Sequence, residues 1–416
     1  MSEPTVITLG CRLNSFESQV IRQLGVTAGL ENTVIVNTCA VTAEAERQAR
    51  QAIRRARRDN PNAHLIVTGC AAQVDADSFA DMPEVDQVLG NREKLEAKSY
   101  LGGDSRDKVE VANIMTVRKT APHLINSFGG RARAFVQVQQ GCDHRCTFCI
   151  IPFARGNNRS VGLRRLIVQI RRLLEVGCRE VVLTGVDICS YGTDLPGRPR
   201  LGKLASQLLK ALPELARLRL GSLDPAAIDD ELFELLAMEQ RLMPHLHLSL
   251  QAMDDTVLKR MKRRHLAADA ERVVARARQA RPDVVFGADI IAGFPTETET
   301  MFANTLAAVD GLGLTHLHVF PYSERPGTPA ARMPAVPQSE RKRRAAALRE
   351  AGNVALNRFL ETQVGSKIEV LVERSRRGLS RHYAVCELDV DGEPGAVVTA
   401  RATAVANGVL KGSAIV

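Results

Sequence analysis

At 416 residues, 45% hydrophobic and 25% charged, the chain is too long for one compact core and too apolar for a disordered protein, so two or three globular domains are expected. No stretch reaches the roughly 18 apolar residues of a membrane span, and the start MSEPTVITLGC lacks a basic segment followed by an apolar run, so no membrane association and a cytoplasmic location are predicted. Nine cysteines without an export signal favour metal or redox chemistry over a disulfide framework, and a net charge of +9 favours an anionic partner such as nucleic acid.

The first hundred residues alternate β-rich runs at 5–9, 33–36, 64–68 and 86–89 with helical stretches at 15–24 and 43–58. This predicts a small doubly wound α/β domain over residues 1–105. Cys11, Cys39 and Cys70 each follow a strand, in TLGC, VNTC and VTGC. The carboxyl ends of parallel strands share one edge, where α/β sheets bind ligands, so these three thiols are expected to converge. One such cysteine would ordinarily be a small buried hydrophobe; three in the same position predict a cluster. In the second helix Arg47, Arg50, Arg54 and Arg57 or Arg58 share a face. The row is read as solvated, with phosphate contact as the alternative.

Residues 100–133 read as a linker. Beyond it, strands at 134–139, 180–184, 217–221, 245–250, 284–292 and 315–320 alternate with helices at 163–176, 201–212, 229–238, 267–280 and 298–312. This predicts a partial (β/α)6 barrel over 128–360 with its site at the carboxyl ends of the strands. The first strand runs into QGCDHRCTFCIIPFAR, where Cys142, Cys146 and Cys149 stand in a C-x3-C-x2-C spacing. Thiolates suit zinc or iron-sulfur clusters. Zinc could complete its shell with His144; a 4Fe-4S cluster on three cysteines would leave one iron open to a small molecule. Later strand ends carry Gly185 and Asp187, then Ser222, then Ser249 and Gln251, then Gly293 and Pro295, polar and small residues suited to a nucleotide-like cofactor. Cys178 and Cys189 are read as packing residues, and His245, His247, His265, His316, His318 and His382 as core or surface residues.

A basic helix at 340–360 opens with Arg341, Lys342, Arg343 and Arg344, and residues 361–416 read as a small all-β barrel. Arg374, Arg376, Arg377 and Arg381 gather at one turn, a candidate RNA contact with Arg341 and Arg343 beside a solvated hairpin tip as the plainer reading.

The segments TLGCRLN, VNTCAVTAEAERQAR, VTGCAAQ, QGCDHRCTFCIIPFARG, LTGVDICSYG, IIAGFPTE and VFPYSERPGT, spread from end to end, resemble the radical S-adenosylmethionine (SAM) methylthiotransferase family, most closely the branch acting on N6-threonylcarbamoyladenosine in tRNA. The resemblance implies an N-terminal methylthiotransferase domain, a radical-SAM barrel and a C-terminal TRAM domain. It implies one 4Fe-4S cluster at Cys142, Cys146 and Cys149 with Phe148 beside it, an auxiliary 4Fe-4S cluster at Cys11, Cys39 and Cys70, and SAM used both as methyl donor and as radical source. The implied product is the 2-methylthio nucleoside at adenosine 37. The implied partners are the tRNA anticodon loop and an electron donor such as flavodoxin or ferredoxin, with the chain acting as a monomer. Two sister reactions stay open, on N6-isopentenyladenosine in tRNA or on a ribosomal-protein aspartate, as does a non-catalytic RNA-binding protein with structural metal. One departure concerns the fourth barrel strand: the family reads LSLQSG there and this chain reads LSLQAMDD.

Overall fold

A computed structural model of the chain describes residues 3–101, 107–120 and 132–415. The N-terminal part is a parallel sheet of β1 (Thr5–Thr8), β2 (Thr33–Thr38), β3 (His64–Gly69), β4 (Gln87–Leu89) and β5 (Val109–Glu110), in that spatial order. Strand alternation divides the apolar side chains between two faces. Ile35, Ile66 and Leu89 pack against Ile21 of α1 (Arg12–Thr27). Val34, Val36, Leu65 and Val67 pack against Ile53 and Ala56 of α2 (Ala43–Asp59). Helices therefore cover both faces, while the strand order follows the chain without a switch point. β5 lies inside the stretch read as linker, being too short to show a period of two; residues 102–106 and 121–131 of that stretch lie outside the described residues.

The central part is an open arc of parallel strands. Arg133–Gln137, Glu180–Thr184 and Arg217–Leu220 form one sheet, and Ser222–Leu223, His245–Gln251, Val285–Ala292 and Leu314–Pro321 form the next, with Gly221 at the junction. Among the described residues the first and last strands do not pair, so the barrel is incomplete. Phe16 and Val20 of α1 enter the same core as Ala134, Val136 and Leu183 of the arc. The helix that follows β1 thus belongs to two cores at once, and it fixes the N-terminal sheet against the barrel.

The helix Gln338–Gln363 links the last two parts. Its Ala345 and Leu348 join the arc's core, and its Leu360 joins that of a closed barrel of five strands, Lys367–Arg374, Arg377–Ser380, Val385–Leu388, Val397–Ala406 and Val409–Ala414. Two buried arginines of the arc seal the contact. Arg217 donates to Leu379 O at 3.1 Å, and Arg219 donates to Ser380 O and to Glu180 Oε1, each at 2.8 Å. Tyr383 of the small barrel stacks on His245, with ring centroids 4.8 Å apart.

Candidate active site

The loop after the first barrel strand is built by sterics before chemistry. Gly141 has φ +75°, and a Cβ there would lie 1.9 Å from Asn157 O, so only glycine lets the chain turn into the cysteines. Cys142 N–H donates to Gly156 O at 3.0 Å and Thr147 N–H to Met261 O at 3.0 Å, which ties the loop to its own exit and to the end of the helix Asp255–Arg260 that follows the fourth strand. Cys142, Cys146 and Cys149 then line one end of a cavity of about 200 Å³. Burial, joined by the charge of Asp187, pushes the Cys142 thiol up to about 12, and burial pushes Cys149 up to about 12. Without metal these thiols stay protonated, so loading a cluster releases protons.

The rest of the cavity comes from later strand ends. Phe148, Asp187, Ser222, Ser249, Gln251, Arg263 and Asp289 all line it. Phe148 packs edge-on against Phe294 at 6.4 Å. Asp289 anchors a polar network: Oδ2 accepts from Ser222 at 2.9 Å, and Oδ1 faces His247 Nε2 at 3.0 Å and His318 Nδ1 at 3.1 Å. Burial by itself would raise this carboxyl, but the two histidine hydrogen bonds outweigh it and hold it well below the usual carboxylate range. Arg263 donates to Ser249 O at 2.9 Å and reaches Cys146 Sγ at 3.6 Å. His144 Nε2 lies 3.2 Å from Asp187 Oδ2.

The second triad sits at the ends of β1, β2 and β3. Cys11 is the N-cap residue of α1, where free backbone N–H groups favour an anionic ligand. Gly10 and Gly69 make the approach possible: a Cβ on Gly10 would meet Cys39 Sγ at 2.8 Å, and one on Gly69 would meet Thr38 N at 2.4 Å. Burial pushes Cys39 up to about 12, with the neighbouring Cys70 and Cys11 adding to the rise. Cys70 opens the short helix α3 (Cys70–Val74), and Cys70 and Ala71 share a core with Ile150, which caps the helix Ile151–Arg155 that leaves Cys149, and with Ala154 of that helix. The elements that follow the two triads are therefore packed on each other. Both donor sets fit iron-sulfur clusters: each is three thiols beside a lined cavity or a glycine cradle, with an arginine within reach of a sulfur, Arg263 at Cys146 and Arg155 at Cys70.

Residues 136–309 match the Radical SAM superfamily, and residues 4–90 match Uncharacterized protein family UPF0004. Threonylcarbamoyladenosine tRNA methylthiotransferase MtaB of Rickettsia prowazekii (strain Madrid E) is 50% identical over 98% of this chain and 96% of its own length. This chain belongs to the radical-SAM methylthiotransferase family. The MtaB of Aquifex aeolicus (strain VF5) is 35% identical over 90% of this chain and 94% of its own length. Ribosomal protein uS12 methylthiotransferase RimO of Desulforudis audaxviator (strain MP104C) is 35% identical over 97% of this chain and 94% of its own. Among solved structures, the radical SAM methyltransferase TsrM of Kitasatospora setae superposes with a TM-score of 0.58 at 15% identity, covering 79% of this chain and 75% of that one, a likeness of fold.

Several residues of this methylthiotransferase stand elsewhere than the sequence suggests. Gly185 does not line the cavity; it backs it, because a Cβ would meet Gln139 Oε1 at 2.7 Å. That oxygen accepts from the N–H groups of Val186 and Asp187, each at 2.9 Å. Gly293 and Pro295 also lie off the lining, since Gly293 is covered by Arg341, whose Cγ would sit 2.7 Å from an added Cβ. Arg341 packs over the Tyr322 ring and pairs with Glu324 at 2.8 Å, while Arg343 pairs with Glu299 and Glu340. Arg381 donates to Gln240 O at 2.8 Å and is docked against the arc. Arg374, Arg376 and Arg377 are exposed at their turn, with Arg376 3.4 Å from Asp391. In α2, Arg47 and Arg54 are exposed, as a solvated face requires, but Arg50 donates to Ser78 O and Arg57 to Glu84 O and Asp86, so these two are held inside the domain and are neither solvated nor free for phosphate. Met253 stands where the family has glycine: it is buried, and its N–H donates to Thr305 Oγ1 at 3.0 Å, while Gln251 two residues earlier takes φ +68°.

Arg155, Asn91, Arg263, Asp224, which lines the cavity 3.3 Å from Arg263, and the His247–Asp289–His318 group were not among the residues that the sequence singles out for a site. The three ligand atoms of that last group lie within 4.8 Å of one another. Strand alternation places all three side chains in the arc, and nothing in a single strand's pattern signals the meeting.

Proposed function

We infer that this chain converts N6-threonylcarbamoyladenosine at position 37 of tRNA to its 2-methylthio derivative, a tRNA (N6-L-threonylcarbamoyladenosine-C2)-methylthiotransferase. The observation that carries this is the match of half of all positions to an MtaB over nearly the whole of both chains, with both cysteine triads in place. Cys142, Cys146 and Cys149 would hold one 4Fe-4S cluster and Cys11, Cys39 and Cys70 the other. When bound, the clusters and SAM supply the hydrogen-abstracting radical and the methylthio group that an aromatic C–H bond, with no acidic proton, requires.

The protein's own residues position and shield. Asp187, Ser222, Ser249 and Gln251 offer hydrogen-bond partners for the amino, carboxylate and ribose groups of SAM, and Phe148 against Phe294 closes one side of the cavity to water. Asp289, held ionised by His247 and His318, supplies a fixed acceptor deeper in the arc. Reaction on a base of a folded anticodon loop needs that base displaced and the backbone held by cations, a role for Arg374, Arg376 and Arg377. An electron donor such as flavodoxin or ferredoxin would serve the reaction in the cytoplasm; no helix among the described residues is long and apolar enough to cross a membrane.

The test is anaerobic reconstitution followed by turnover with tRNA carrying either N6-threonylcarbamoyladenosine or N6-isopentenyladenosine, and with the uS12 loop peptide. The expected result is a 2-methylthio product on the first substrate only, with deoxyadenosine formed alongside. Product on either of the others, and none on the first, would replace this reading by a sister reaction.

A further inference from the structure

We propose that Arg155 is a positioning residue that tunes the iron-sulfur centre of the N-terminal triad: its buried guanidinium hydrogen-bonds Cys70 and holds that centre at a higher reduction potential than the three cysteines alone would give. The proposal rests on the assignment of a cluster to Cys11, Cys39 and Cys70.

Arg155 ends the helix that leaves the other triad, yet it faces this one. It is 1% exposed, and its Nε donates to Cys70 Sγ at 3.1 Å. Its two terminal nitrogens are held by Glu17, one of them at 2.9 Å from Oε2, and by Asn14. These bonds fix the plane of the guanidinium, which aims the Nε–H at sulfur. Asn91 adds a second donor 3.8 Å from the same sulfur, and its amide is held by Ala154 O at 2.7 Å, one residue before Arg155.

The local charge is unbalanced without an anion at Cys70. Arg155 and the fully buried Lys94 share one carboxylate, Glu17, with Lys94 Nζ 2.8 Å from it. Arg159, also buried, donates to Arg155 O at 2.9 Å and brings a third cation near. Buried charge is costly unless paired. A thiolate-bound cluster at Cys70 supplies the missing negative charge. A cation and a hydrogen bond at a cluster sulfur stabilise the reduced, more negative state, which raises the potential. The first triad has a weaker counterpart, with Arg263 3.6 Å from Cys146 Sγ. Arg155 therefore also sets the two centres apart.

The test isolates the second centre in the full chain with Cys142, Cys146 and Cys149 all changed to Ala, reconstituted without oxygen, and compares Arg155 with Arg155→Lys and Arg155→Gln. Iron and sulfide are counted first. About four irons in the Arg155 background is required for the cluster assignment itself, and absence of iron there defeats that assignment, an outcome distinct from those that follow. The potential is then read by titration with electron paramagnetic resonance detection. Arg155→Gln, which keeps an N–H donor but no charge, is expected to make reduction at least tenfold less favourable, about 59 mV for one electron. Arg155→Lys is expected to stay within about threefold of the parent, since it keeps the cation. Equal potentials for Gln and Arg, or equal falls for Lys and Gln, would overturn the proposal. So would loss of iron in either Arg155 variant, which would make the residue a structural tether.

Discussion

The guanidinium of Arg12, the residue after Cys11, donates to Tyr383 Oη at 2.9 Å and lies 5.5 Å from that ring's centroid, joining two positions 371 residues apart. Arg133 and Arg219 bring two more guanidinium groups to the same ring, at 5.6 and 5.1 Å. The small barrel is thereby plugged into the arc beside the element that carries the first cysteine. Tyr383→Ala, which removes the ring and its hydrogen bond, is expected to destabilise the chain by roughly 2–3 kcal/mol. Tyr383→Phe should cost about half of that. Thermal unfolding checks both; an unchanged midpoint for Tyr383→Ala would show that the plug contributes nothing.

Among the described residues Glu17 is the only carboxylate in contact with both Arg155 and Lys94, and all three are buried. Burial would raise its pKa, yet Arg155 and Lys94 lower it, so it is ionised in the fold. Glu17→Gln leaves two cations uncompensated and is expected to cost about 3–5 kcal/mol. A second change, Lys94→Met, removes one of them and should recover part of the loss in denaturant titrations. Additive losses would refute the coupling.

Glycines divide the two centres experimentally. Gly141→Ala must push its Cβ into Asn157 O, whereas Gly69→Ala must push into Thr38 N, at the other triad. Each change is expected to lower iron from about eight to about four per reconstituted chain, with the cluster at the opposite triad retained. Loss of all iron from either variant would mean that the centres cannot form separately.

Acid should weaken the junction around Tyr383. Burial, with the charges of His247 and Arg219, pushes His316 down to about 4 from an ordinary value near 6.5, and burial holds His245 down as well. A histidine with a depressed folded pKa favours the fold while neutral. Its contribution is whole above pH 6.5 and is lost as pH falls toward 4. Between pH 7 and 5 the loss from His316 is about 2 kcal/mol. His316→Phe should flatten this part of the stability profile; an equally steep profile would assign the acid sensitivity to other groups.

At the RNA, the exposed turn is the place to look. Changing Arg374, Arg376 and Arg377 to Ala is expected to weaken tRNA binding uniformly across sequences and to reduce the slope of log affinity against log salt by about 2. SAM cleavage without tRNA should be unaffected, because this turn lies apart from the cavity lining. An unchanged slope would place the RNA on another face.

The strand runs, the helix periods and both cysteine triads were legible along the chain because each is a local pattern. A strand alternates, a helix repeats, and a thiol after each of three parallel strands implies one shared edge. Local pattern alone therefore reveals the α/β sheet, the arc of parallel strands, the closing β-barrel and the cysteines that belong to each group. It could not sort the arginines. Arg341, Arg381, Arg217 and Arg374 look alike in a row of letters, and only packing makes the first three internal donors and leaves the last exposed. It also could not show that Arg155 reaches Cys70 across 85 positions, or that Asp289 gathers two histidines from neighbouring strands. Those pairings arise only from packing. A buried charge takes whichever partner folding brings within a few ångströms, and that choice leaves no periodic trace in the chain.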